Sequence, residues 1–178
     1  MRRGGGSGAG WEKSIMEICC ELARIIIGEG LEGQVIFLRE KEGSRAFPIV
    51  IGLYEAFAIQ RKVTNESTPR PLTHDLLSNV IEGMGGVLER VVITELRNDT
   101  FYARLHIKVN GRELSIDSRP SDAIALAVQL GSQIYVEEDV LNKVGHYQMP
   151  VSEEGGGGAE EDEGEDNFEM PGQESDEE

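Results

Sequence analysis

The chain has 178 residues, of which 39% are hydrophobic, enough for one domain with a buried core. Its formal charge of −16 comes largely from residues 153–178, which contain 13 Asp and Glu and no Lys or Arg. The remainder has 20 acidic against 17 basic residues, so it has no overall positive field for nucleic acid, and any such site must be a local patch.

The two ends of the chain differ in composition from its middle. Residues 1–13 are glycine-rich, and residues 149–178 consist mainly of Gly, Glu and Asp. Because neither segment has enough apolar side chains to offset the entropy of ordering, both are predicted to be disordered, with one domain over residues 14–148. The first residues do not resemble a signal peptide and no apolar run could span a bilayer, so we expect a cytoplasmic protein with no membrane contact.

The first half of this domain predicts three strands followed by two helices. Residues 15–27, 33–40 and 45–51 have the composition of strands, and Pro48 places the third at an edge or a bulge. The period then becomes helical over residues 52–64. One face of this helix carries Leu53, Ala56, Phe57, Gln60 and Val63. After a break, a second helix over residues 72–86 stops at its glycines.

The second half predicts a hairpin-rich sheet and a buried helix. Strands over residues 87–97 and 100–109 are joined by Asn-Asp, and an Asn-Gly turn leads to a strand over 112–117. An apolar helix, a strand at 133–136 and a short helix follow. Because the strands mostly pair with sequence neighbours, we predict an α+β fold, a mixed and largely antiparallel sheet with three main helices packed on it. No Walker or GxGxxG loop is present, and no organic cofactor is expected.

One predicted strand has a polar face that is compatible with nucleic-acid binding. Tyr102, Arg104, His106 and Lys108 alternate with apolar residues along "TFYARLHIKV". These side chains could follow a phosphate backbone, with the tyrosine stacking on a base. The alternative interpretation is a solvated sheet face whose charges pair with acids such as Glu95 and Glu113.

Two helix starts share a design, in "RPLTHDLL" and "RPSDAIAL". Each has Arg-Pro, short polar residues that include an Asp, and then an apolar helix. Helix initiation explains part of this pattern, because Thr73 is a candidate N-cap and Pro120 suits the first helical position. Ser118, Ser121 and Asp122 are candidates to cap or complement the first turn of the second of these helices.

Other residues at these starts are not required for helix initiation and suggest chemistry. If the two starts meet, they would bring arginines, a histidine and carboxylates to one site. Such a set suits hydrolysis of phosphodiester bonds assisted by Mg²⁺ or Mn²⁺. The candidate catalytic groups are Asp117, Asp122, His74, Asp75 and Glu55, and the candidate substrate-binding groups are Arg70, Arg119 and Ser121. Asp117 and Asp122 are the candidate metal ligands.

Glu55 also has a structural interpretation, because an acid in a first helical turn complements the helix dipole. Arg61 and Lys62 are interpreted as a solvated helix end.

Four motifs resemble the bifunctional nuclease family of bacteria and plants, also catalogued as a domain of unknown function. They are "FPIVIGLYEAFAI", "PRPLTHDLL", "TFYARLHI" and "IDSRPSDAIALAV", within a match from about Met16 to Gly145. The resemblance implies a mixed α+β domain, self-association into a homodimer or higher oligomer, and nuclease activity on DNA and RNA. The candidate site residues coincide with the motif positions. The rival hypothesis is a non-catalytic oligomeric module of the same fold, binding or regulatory in role.

Overall fold

The computed structural model describes residues 16–28 and 33–144. The predicted disordered ends, residues 1–13 and 149–178, lie outside the described residues. Seven strands and four helices occupy the described part. The strands are β1 (Glu17–Ile26), β2 (Gln34–Glu40), β3 (Ala46–Ile51), β4 (Gly86–Arg97), β5 (Thr100–Val109), β6 (Arg112–Ser118) and β7 (Gln133–Glu137). The helices are α1 (Leu53–Val63), α2 (Thr73–Gly83), α3 (Pro120–Leu130) and α4 (Glu138–Lys143).

All seven strands form one mixed sheet in the order β3-β2-β1-β7-β4-β5-β6. Neighbouring strands are antiparallel except β4 and β7, which run parallel. The α+β prediction of a largely antiparallel sheet with three main helices is therefore confirmed. The third strand, which contains Pro48, lies at the edge of the sheet, where proline is tolerated.

Two tight hairpins connect the strands of the second half. Asn98 and Asp99 have φ of 48° and 54° between β4 and β5, and Asn110 and Gly111 have φ of 50° and 78° between β5 and β6. Positive φ at both central residues matches the right-handed twist of paired strands, and Asn, Asp and Gly are the residues that accept it. The predicted hairpins at these positions are confirmed.

Helix α3 lies at the centre of the molecule. Seven of its eleven residues are buried, because it packs on β4, β5 and β7 on one side and against α1 and α2 on the other. Alternate residues of the strands supply the facing core, including Ala103, Leu105 and Ile107 of β5. An almost wholly apolar helix is thus explained by burial on several sides.

The helix ends and one helix face differ from the sequence interpretation. The residue before α2 is Leu72 rather than Thr73, and the residue before α3 is Arg119, whose own side chain makes no capping bond; the predicted serine cap is not formed. Pro120 occupies the first position of α3, as predicted. On α1 the buried residues are Ala56 and Ile59, so most of the predicted apolar face is exposed. In the described ranges, none of the helices has the length and apolar character needed to cross a membrane.

Candidate functional site

The two Arg-Pro helix starts meet in space. His74 is the second residue of α2 and Asp122 the third residue of α3, and the two helices pack side by side. The His74 Nε2 atom lies 3.0 Å from Asp122 Oδ1, so the side chains are hydrogen-bonded. The convergence on which the functional hypothesis depends is present.

Arg119 joins this pair to the first turn of α1. Its Nε donates to Asp122 Oδ2 at 2.7 Å, and its Nη2 donates to Asp122 Oδ1 at 3.0 Å and to Glu55 Oε1 at 2.7 Å. The two bonds to Asp122 form a planar fork, which orients both groups. Gly52, just before α1, gives Glu55 room to fold back, because a Cβ there would collide with the Glu55 carboxylate.

The charges of this cluster are set by its hydrogen bonds. Burial acts to raise the pKa of Asp122, but hydrogen bonds from Arg119 and then His74 outweigh it, so the pKa lies below the ordinary value. Hydrogen bonds to Asp122 and then Glu55 raise the pKa of Arg119 further above its already high value. At neutral pH the site therefore contains an ionised carboxylate beside a permanent cation.

Asp75 faces away from this pair, toward Arg61 and Gln129. Its carboxylate accepts hydrogen bonds from Arg61 Nη2 at 2.7 and 2.8 Å, from Gln129 Nε2 at 2.8 Å and from the Leu72 backbone N–H at 2.9 Å. Burial acts to raise the pKa of Asp75, but these bonds lower it to about 2. Because Arg61 belongs to α1, Leu72 precedes α2 and Gln129 belongs to α3, the Asp75 carboxylate links these three helices.

Three other predicted site residues lie outside the His74–Asp122 contact. Arg70 is exposed in the segment before α2, and Asp117 is exposed on β6, opposite Arg104 in the strand register. Two cavities adjoin Arg119, one between α1 and α2 and the other toward β3, and neither Arg70 nor Asp117 lines either of them. Ser121 is 6% exposed and lines the cavity toward β3. The structure therefore brings together Glu55, His74, Arg119 and Asp122 from the predicted set.

The predicted metal ligands do not form a ligand set in this arrangement. Asp117 is on the exposed strand β6 and lines neither cavity beside Asp122, and the guanidinium of Arg119 is hydrogen-bonded to the carboxylates of both Asp122 and Glu55. Among the described residues, no cluster of three or more His, Cys, Asp or Glu is arranged to hold a metal ion. No step through Mg²⁺ or Mn²⁺ follows from this geometry.

An open cavity of about 1060 Å³ adjoins the His74–Asp122 pair. It lies between α1 and α2 and is lined by Tyr54, Phe57, Leu76 and Arg61, among others. Sequence interpretation missed this cavity and placed Arg61 at a solvated helix end, whereas its side chain is only 15% exposed. No local pattern marks Arg61, because its partner is 14 residues away on another helix.

The polar face of β5 fits the second of its two interpretations, a solvated sheet face whose charges are paired. His106 Nδ1 lies 3.0 Å from Glu113 Oε1, and Lys108 Nζ lies 3.5 Å from Glu89 Oε1. Arg104 donates to Ser115 rather than to an acid. Most of these charged side chains therefore pair with acids on neighbouring strands, as on an ordinary solvated sheet face.

Comparison with known proteins identifies the same four-motif region. The family model described as the bifunctional nuclease domain matches residues 36–149. An uncharacterized protein of Mycobacterium tuberculosis is 44% identical over 111 residues, covering 62% of this chain and 66% of that protein.

Plant relatives are more distant and much longer. Bifunctional nuclease 1 of Oryza sativa subsp. japonica is 30% identical over 109 residues, which cover 59% of this chain and 33% of that protein. Bifunctional nuclease 2 of Arabidopsis thaliana is 26% identical over 107 residues, covering 58% and 32%. The match therefore spans about a third of the plant proteins and just under two thirds of the mycobacterial one.

Proposed function

The chain belongs to the bifunctional nuclease domain family, and on that premise we propose that it hydrolyses phosphodiester bonds of DNA or RNA at the cavity between α1 and α2. The observation that carries this proposal is the 3.0 Å contact between His74 and Asp122, both of which line that cavity together with Arg119. The plant relatives named as bifunctional nucleases support the reaction class.

His74 is the proposed proton acceptor. A carboxylate on one ring nitrogen fixes the proton there and orients the ring, so Asp122 on Nε2 leaves Nδ1 to accept a proton. In the proposed reaction, a water molecule transfers a proton to Nδ1 as its oxygen attacks phosphorus. The bond from phosphorus to the leaving sugar oxygen breaks, and the imidazolium then protonates that oxygen.

Arg119 is the proposed phosphate-binding group. Its side chain is 66% exposed, and its Nη1 donates no hydrogen bond to the described residues, so two N–H groups are free for a phosphate oxygen. Glu55 and Asp122 hold the remaining donors and thereby fix the plane of the guanidinium. Positioning of this kind lowers the entropy that substrate binding costs.

The test is hydrolysis of labelled DNA and RNA by highly purified protein, compared among three variants. We expect His74→Ala and Asp122→Asn to lower kcat by about 100- to 10,000-fold, the usual contribution of a positioned acid–base group. Asp117→Asn is the matched control, because Asp117 is an exposed carboxylate that lines neither cavity. Equal activity in all four proteins would identify a contaminating nuclease and defeat the proposal.

A second candidate is a non-catalytic module that acts as a homodimer or higher oligomer. Two observations favour it. The charges of Arg119, Asp122 and Glu55 already satisfy one another, as they would in a purely structural network. Val80, Met84 and Val87 are also 45%, 69% and 62% exposed around the end of α2, and a second copy of the chain would cover them.

The two candidates differ in what Asp122→Asn changes. A structural network predicts a loss of stability, visible in a thermal melt, with no hydrolysis in any variant. A catalytic acid is often neutralised at little cost in stability, while turnover is lost. Light scattering of the Met84→Glu variant beside the unaltered chain tests the self-association.

A further inference from the structure

The walls of the cavity beside His74 carry exposed aromatic and aliphatic side chains. Tyr54 is 84% exposed and Phe57 48%, and both line the cavity from α1. Leu72 and Leu76 line it from the side of α2 and are 50% and 55% exposed. An apolar surface in a concave place with charged groups at its rim is typical of a ligand site.

The pattern along α1 is unusual for a surface helix. Ala56 and Ile59 form its buried face, and a surface helix normally carries polar residues opposite that face. Here Tyr54 and Phe57 lie outside the buried face, one of them just before Glu55, which binds Arg119. The aromatic rings therefore lie within the first turns of the same helix that positions the proposed phosphate-binding group.

We propose that this cavity binds a nucleobase of the substrate, stacked on the ring of Tyr54, while the adjoining phosphate contacts Arg119. This inference rests on the proposed function and specifies its substrate class. A base inside a duplex is stacked on its neighbours and must leave the stack, at a cost in free energy, before it can enter a cavity, so the site favours a single-stranded substrate. Stacking on an aromatic ring is available to every base, so the site accepts DNA or RNA of any sequence.

The cavity on the other side of Arg119 is less suited to a base. It measures about 620 Å³ and lies toward β3, where neither His74 nor Asp122 lines it. Its aromatic residue, Phe101, is already stacked on Phe47 at a ring-centre distance of 5.7 Å. The base is therefore assigned to the cavity between α1 and α2.

The polar face of β5 is also a poorer stacking surface. The guanidinium of Arg97 lies over the ring of Tyr102, 5.0 Å from its centre. That ring is covered on this face, whereas Tyr54 is open to solvent. Tyr102 is thus a matched control aromatic for the experiment.

The experiment measures binding of two labelled single strands of equal length and charge, oligo(dT) and its abasic analogue, by fluorescence anisotropy. All proteins carry His74→Ala, so that the strands are not cut. We expect oligo(dT) to bind about 5- to 100-fold more tightly than the abasic strand, the range for one stacked base. Tyr54→Ala should bring this ratio close to one, while Tyr54→Phe and Tyr102→Ala should preserve it.

Several outcomes would overturn the base site. They are equal affinity for the two strands, no measurable binding of oligo(dT), or a ratio that Tyr54→Ala leaves unchanged. Circular dichroism of each variant checks the fold. Tyr54 is exposed and is not part of the core, so its replacement should leave the fold intact. Cleavage of oligo(dT) by the chain with His74 intact separates the two proposals. Tighter binding of oligo(dT) that is lost in Tyr54→Ala, without any cleavage, rejects hydrolysis and keeps the base site. Cleavage together with a binding ratio that Tyr54→Ala does not change keeps hydrolysis and rejects the base site.

Discussion

The Nε2 atom of His74 and the Oδ1 atom of Asp122 lie 3.0 Å apart, although the residues are 48 positions apart in the chain. The contact exists because α2 and α3 begin at the same end of the molecule and pack side by side. It brings an imidazole, a carboxylate and the guanidinium of Arg119 to the lining of one cavity.

Arg119→Lys is expected to lower kcat/KM by on the order of 10- to 100-fold, because an ammonium cannot bridge Asp122 and Glu55 and also bind phosphate. The side chain is 66% exposed, so the free energy of unfolding should change by less than about 1 kcal/mol. Steady-state kinetics and a thermal melt measure the two effects. Arg39→Lys, in an exposed pair with Glu21, is the control and should change neither. Unchanged kcat/KM for Arg119→Lys would remove its proposed role.

Hydrolysis is expected to continue in excess EDTA. Arg119 donates hydrogen bonds to both Asp122 and Glu55, so the mechanism proposed above relies on His74 and Arg119 and on no metal ion. The measurement is the initial rate with EDTA, with Mg²⁺ and with Mn²⁺. A complete loss in EDTA that Mn²⁺ restores would contradict this prediction and would require Arg119 to leave the carboxylates.

Asp75→Asn is expected to lower stability rather than turnover. Since hydrogen bonds hold the folded pKa at about 2, below the ordinary 3.8, the carboxylate stabilises the fold above pH 3.8, by on the order of 2 kcal/mol. That contribution decreases as the pH falls from 3.8 through about 2, below which the acid is protonated in both the folded and the unfolded state. Urea unfolding should therefore separate variant and parent at pH 7 and bring them together near pH 2.

Asp117→Asn, at an exposed carboxylate, is the control for this comparison and should unfold like the parent at both pH values. A variant at Asp75 that unfolds like the parent at pH 7 but has lost turnover would return Asp75 to a catalytic role.

The two cysteines should differ in reactivity. Cys20 is 1% exposed, and burial, followed by the nearby charge of Glu40, raises the pKa of its thiol to about 12. Cys19 is only partly buried, with its Sγ 3.2 Å from Gln133 Oε1. With a thiol reagent at pH 8, we expect one group to react in the folded chain and two in urea. Loss of the folded-state reaction in Cys19→Ser would confirm the assignment, and two equally fast groups would contradict it.

Much of the fold follows from short-range patterns in the sequence. Asn-Asp and Asn-Gly determine two hairpins because their backbones accept positive φ, and the alternation along β5 determines which of its faces is buried. Pro48 marks an edge strand and Pro120 the first residue of α3. These features depend on neighbouring residues alone.

Other features required the tertiary structure. β7 lies between β1 and β4 and runs parallel to β4, although neighbour pairing gives no reason for that insertion. The exposed aromatics of α1 also escaped the sequence interpretation, because a helical period shows that residues share a face but not whether a neighbouring element covers it.

By itself, the sequence determined that His74, Asp122, Arg119 and Glu55 lie at helix starts. It also indicated that helix initiation does not require all of these charged groups, which makes them candidates for binding or catalysis. Only the tertiary structure decided that these four meet, that Asp75 turns instead to Arg61, and that Asp117 stays on an exposed strand. The physical reason is the packing of α1 and α2 on the buried helix α3, which sets distances between side chains that are far apart along the chain.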